Sequence, residues 1–161
     1  MLIMKTNLAI TYGQLGNMEK ALSMERDVYS GRLKLHGEEH PQTLLAANNY
    51  AISLKHLKRF EEARSVTRKM IPVARRVLGE SNDVTLKMRQ NYAQSLCRDP
   101  NSTLDDLREA VTTLEDAERI ARRVFGGAHP STTGLEKLVQ AARAILAARE
   151  TPPSQSSSES V

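Results

Sequence analysis

Two histidines stand four apart with two glutamates between them in His36-Gly37-Glu38-Glu39-His40. On a continuous helix that spacing puts both imidazoles on one face, where they hold a zinc ion while an intervening glutamate serves as general base. Cys97 is followed by Arg98, whose charge lowers the pKa of a neighbouring thiol. His56 has no acid or nucleophile beside it, and the chain lacks a glycine-rich phosphate loop, a nucleophile elbow and a paired-cysteine motif. The remaining pattern is one of amides: Asn7, Asn49 and Asn91 recur every 42 residues. What any of these groups can do depends on the elements that hold them.

Those elements are helices. Ala, Leu, Arg, Lys, Glu and Gln dominate the 161 residues, and alternating runs of β-branched and aromatic residues that would mark strands are missing. The net charge of +4 is spread along the chain, which argues only weakly for nucleic acid or a membrane surface and favours a partner of acidic character. A single cysteine cannot form an internal disulfide, so a cytoplasmic location is expected. No signal-peptide core or membrane-length apolar run occurs, and no membrane partner or cofactor is expected.

The 42-residue spacing extends beyond the asparagines. Residues 6–22, TNLAITYGQLGNMEKAL, align with residues 48–64, NNYAISLKHLKRFEEAR, and QNYAQSL at 90–96 continues the series. The second halves end in KLHG, RVLG and RVFG, the last glycine arriving five residues late. That insertion falls in residues 97–107, where Asp99-Pro100-Asn101 is a turn signal and Thr103 with Asp106 forms a capping box, so a longer inter-helix turn is expected. Small residues at Ala9, Ala51 and Ala93, and at Ala21, Ala63 and Ala110, mark close approach of two antiparallel helices per unit. Leu8, Tyr12 and Leu15 read as an apolar stripe on the first helix. Pro72, inside a helical stretch, predicts a kink or break from Arg68 onward.

The repeat frame answers the question of the histidines. Gly37 ends one helix and Pro41 begins the next, so His36 and His40 lie on opposite sides of a break, and a metal site is not expected. The equivalent junctions, LGESNDVT and FGGAHPST, keep the glycine and a threonine, Thr43, Thr85 or Thr132, as a helix corner requires.

The small residue, the Gly-x-x turn and the following alanine, carried by Ala9, Gly16 and Ala21, resemble the tetratricopeptide repeat. The long period, the G-E-x-H-P-x-T junction and the N-x-A opening resemble more narrowly the repeats of kinesin light chain, without the heptad coiled coil through which that subunit joins its motor. The resemblance implies an all-α, right-handed superhelical solenoid of stacked helix hairpins. Its units are residues 1–40, 41–81 and 82–129, with a capping helix at 130–150 and a disordered Ser/Pro-rich tail at 151–161. In such a stack, equivalent positions of the first helices line the concave wall. Asn7, Asn49 and Asn91 then form a ladder of amides that offer both donor and acceptor to an extended peptide backbone. The family's pattern adds Thr6, Asn48, Gln90 and Gln94, with Lys55, His56, Lys87 and Arg98 supplying positive charge. The expected activity is non-catalytic: a protein-interaction scaffold for an extended acidic segment. A nucleic-acid-binding helical repeat and a structural oligomerisation module are the alternatives. The uncapped first helix implies further repeats or end-to-end self-association. The tail offers serines for phosphorylation, and Glu159-Ser160-Val161 resembles a PDZ-binding end.

Overall fold

The computed structural model describes residues 1–151; the readings made on residues 152–161 lie outside the described residues. Seven helices follow one another: α1 (Leu2–Gln14), α2 (Met18–His36), α3 (Pro41–His56), α4 (Phe60–Leu78), α5 (Asp83–Arg98), α6 (Leu104–Phe125) and α7 (Pro130–Glu150). They stack as hairpins α1–α2, α3–α4 and α5–α6, with α7 closing the end. The alanines at the predicted crossing points are buried to 2% exposure or less in all three hairpins, because a larger side chain there would hold the paired backbones apart.

Each hairpin leads into the next helix through the same corner. Gly37, Gly79 and Gly126 all have φ between 78° and 95°, a region that costs glycine nothing and other residues strain. Three residues later an acceptor side chain caps the next helix: His40 Nδ1 takes the Gln42 amide, Asn82 Oδ1 the Val84 amide, and His129 Nδ1 the Ser131 amide. His40 therefore spends a ring nitrogen on the backbone, and its ring stacks on that of His36 with centroids 4.5 Å apart. Among the described residues no group of three or more His, Cys, Asp and Glu is placed to hold a metal ion. Thr43, Thr85 and Thr132 follow the caps and are fully buried.

Turns inside the hairpins vary. Gly16 adopts φ 79°, and its equivalent 42 residues on is Lys58 at φ 60°. The third hairpin turns through residues 99–103, closed by the Thr103–Asp106 capping box. The five-residue insertion is divided. Two residues lengthen this turn from three to five, and three lengthen the second helix from 19 residues in α4 to 22 in α6. The expectation of a longer turn accounts for less than half of it, since helix continuation satisfies the backbone of the added residues internally. Helix α4 runs unbroken through Pro72, whose ring faces solvent; the expected break is absent.

Helix α3 packs on α5 and α5 on α7, whereas no comparable contact joins α2 to α4 or α4 to α6. First helices thus crowd together on one side and second helices fan apart on the other, which curves the stack. Burial grades along it: α5 buries nine residues and α1 only Ala9. The apolar stripe read on α1 is not core, since Leu8 is 43% and Leu15 75% exposed. A helix at the end of a stack has neighbours on one side only.

Candidate peptide-binding wall

The asparagines of the 42-residue series share a register but not a role. Asn7 is exposed, Asn49 half-buried and Asn91 buried. Asn91 donates its side-chain amide to Asn48 Oδ1 at 3.0 Å, and its own Oδ1 accepts from Lys55 Nζ at 2.7 Å. Lys55 Nζ also donates to Gln94 Oε1. Asn48, Lys55 and Asn91 are each less than 8% exposed, so this network ties α3 to α5. Four of the predicted residues are brought together here, in a brace between repeats.

One repeat earlier the same register gives a different result. Thr6 stands where Asn48 stands, and it satisfies its hydroxyl on the Leu2 carbonyl at 3.0 Å. Asn49, the counterpart of Asn91, instead lines a cavity of about 100 Å³ with Thr6, Gln42 and Leu45. Glu25 and Arg32 of α2 line it as well. The Glu25 carboxylate accepts from Ser53 Oγ at 2.6 Å, and burial raises its pKa above the usual carboxylate value. Arg32 is held by the Gln42 side chain. Glu25, Arg32 and Ser53 lay outside the predicted set because two of them belong to second helices, whose contribution to the wall no periodicity in the first helices reveals.

The basic residues divide likewise. Lys87 is exposed and paired to Asp83 at 2.7 Å, so its charge is already answered. Lys55 has no carboxylate within 4.0 Å among the described residues, and burial with the nearby Arg98 charge lowers its pKa to about 8. His56 is exposed at the end of α3, its pKa lowered by partial burial and by the charges of Lys55 and Arg98. Gln90 is half-buried on α5, and Arg98 is exposed at the end of the same helix. Lys55 and Arg98 therefore form a positive pair at one end of the wall, while His56, expected to add charge, is pushed toward its neutral form by burial and by those two cations. Cys97, next to Arg98, has its thiol pKa raised: burial outweighs the lowering by Arg98, the reverse of the direction its neighbour suggests.

The tetratricopeptide repeat family profile matches residues 1–75. The chain is similar to tetratricopeptide repeats over its first 75 residues. Its fold is similar to that of a Podosopora anserina protein described as a kinesin light chain of nearly identical TPR-like repeats. The TM-score is 0.80 at 20% identity, covering 89% of this chain and 66% of that one. A point variant of that protein gives the same values. BtubC (BKLC) from P. vanneervenii matches with a TM-score of 0.59 and 18% identity over 99% of this chain and 69% of its own. The chain spans just under two thirds of the length of the first of these structures. No curated protein sequence matches it. Stacked helical repeats present an extended concave surface, and no described helix is long and apolar enough to cross a membrane.

Proposed function

We propose that the chain is a non-catalytic docking scaffold whose first-helix wall receives an extended protein segment bearing acidic side chains. The observation that carries this reading is Lys55, a buried ammonium with two amide acceptors and no carboxylate. Taking a charge out of water without a counter-ion costs several kcal/mol in principle. A carboxylate delivered by a partner, beside Arg98, would offset that cost on binding. Asn49, free of any internal hydrogen bond among the described residues, offers its amide to the same segment further along the wall.

The test is a titration of a fluorescent ten-residue Glu/Ser peptide, with a Gln/Ser peptide as control, against the wild-type chain and Lys55→Gln. Micromolar binding of the acidic peptide alone, weakened about tenfold by the substitution and by added salt, supports the reading. Equal binding of both peptides removes it.

A second reading, end-to-end self-association, is favoured by α1, where Ile3, Met4, Leu8 and Ile10 are each more than 40% exposed. Sedimentation velocity on the wild type and on Ile3→Gln/Met4→Gln tests it. A concentration-dependent dimer that the double variant abolishes supports it, and a monomer at every concentration refutes it.

A further inference from the structure

On the opposite side of the stack, α4 and α6 border a cleft of about 510 Å³ that has α5 as its floor. The residue on that floor is Arg89, which occupies the register position of Ala47, a fully buried core residue one repeat earlier. Its side chain is 10% exposed. A guanidinium so placed needs acceptors at close hydrogen-bond distance, and the contacts of Arg89 are all long. The Thr113 carbonyl lies at 3.4 Å, the Glu80 carboxylate at 3.6 Å and the Asp116 carboxylate at 3.7 Å. Burial accordingly lowers the Arg89 pKa.

Three more arginines line the same cleft. Arg75 is engaged by Glu80, Arg119 pairs with Asp116 at 3.2 Å, and Arg123 has no ion pair among the described residues. Four guanidinium groups thus face two carboxylates, leaving an excess of two positive charges around a poorly satisfied buried arginine.

We propose that this cleft binds a phosphate monoester, with Arg89 at its base and Arg123 and Arg119 at its mouth. A phosphorylated side chain carries close to two negative charges at neutral pH and three acceptor oxygens. The guanidinium fork matches that geometry, and the volume admits the phosphoryl group together with the side chain that bears it. Asp116 and Glu80 hold the arginines in place in the free protein and are the groups the phosphate must displace. The cleft lies on the second-helix side, so the proposal stands independently of the docking wall.

The experiment follows the arginine Nε–H resonances of the full chain by NMR during titration with inorganic phosphate, with a phosphoserine hexapeptide and with the same hexapeptide unphosphorylated. Expected are shifts at Arg89 and Arg123 with the phosphoserine peptide and none with its unphosphorylated form. Arg123→Gln, an exposed change that leaves the core alone, weakens binding by about fivefold. Asp116→Asn, which removes a competing carboxylate, tightens it by a similar factor. Shifts with inorganic phosphate but not with the phosphoserine peptide overturn the monoester assignment. No shift with either ligand overturns the proposal, as does peptide binding that Asp116→Asn and Arg123→Gln leave unchanged.

Discussion

Asn91 reaches back one repeat and donates its side-chain amide to Asn48 at 3.0 Å. The pair is buried, and it turns one rung of the asparagine series from a ligand contact into a fastener between α3 and α5. Asn91→Ala leaves Asn48 Oδ1 without a partner and removes one of two acceptors from Lys55. A loss of about 2 kcal/mol in urea unfolding is expected. Asn49→Ala breaks no internal hydrogen bond. Its stability stays within about 0.5 kcal/mol of wild type, while affinity for an acidic peptide falls by about 1 kcal/mol. Equal destabilisation by both substitutions would show that Asn49 is a brace as well.

Lys55 gives the chain a pH signature. Its pKa is about 8 in the folded state against 10.5 for the ordinary amine. Between those values the unfolded chain binds the additional proton, so folding stability rises with pH across this window. Measured as the difference between wild type and Lys55→Met, the gain from pH 7 to pH 10.5 is on the order of 2 kcal/mol in favour of wild type. Peptide affinity runs the other way: it is full below pH 8 and declines above, as the ammonium that meets the carboxylate is lost. Unfolding curves at six pH values check the first trend, and fluorescence titrations the second.

At the hairpin turn, Lys58 holds φ 60° where the preceding repeat has Gly16. The left-handed region costs a side chain about 1–2 kcal/mol, part of which glycine gives back through its larger unfolded-state entropy. Lys58→Gly is expected to stabilise by about 0.5 kcal/mol and raise the melting temperature by one or two degrees. A fall in melting temperature would mean that the lysine side chain supports the turn.

His40 acts through its cap. His40→Ala should cost about 1 kcal/mol of stability, and His40→Asn should restore it, because asparagine already fills the same position as Asn82. A chelator should leave all three proteins with unchanged melting temperatures.

At the same corners the hydroxyls of Thr43, Thr85 and Thr132 have no hydrogen-bond partner among the described residues. Thr85→Val removes an unpaired polar atom and keeps the branched shape. It should raise stability by up to about 1 kcal/mol, read by denaturant midpoint.

Much of the architecture was legible in the sequence. The repeat spacing, the cap glycines and the paired alanines are local or strictly periodic signals, and they fixed which helices pair and where they cross. The site was legible in part. Periodicity places Asn49 and Asn91 at one register position, yet which of them is free depends on the neighbour one residue off that register, Thr6 in one case and Asn48 in the other. Only the second of these offers an amide oxygen turned toward its partner. The paired state of Lys87 was in reach, since Asp83 lies four residues before it on the same helix. Arg89 was missed although the alignment shows it opposite Ala47, an exchange of a small apolar residue for a cation at a core position. The divided insertion was out of reach, because counting residues between landmarks does not say whether they extend a turn or a helix.

Helix α1 contributes one buried residue and touches the stack mainly through α2, whereas α5 is gripped by α3, α4 and α6. In a stack held mainly by contacts between neighbours, that difference is expected to become one of lifetime, with α1 opening more often than α5. Its amides are therefore expected to exchange with deuterium before those around Lys55, which hydrogen exchange read by mass spectrometry checks. Each detachment also removes the Thr6 side of the cavity at Asn49 while the Asn48–Asn91–Lys55 brace stays closed. The two ends of the wall thus keep different clocks, one renewed at every fluctuation of the first helix and the other persisting until the array itself unfolds.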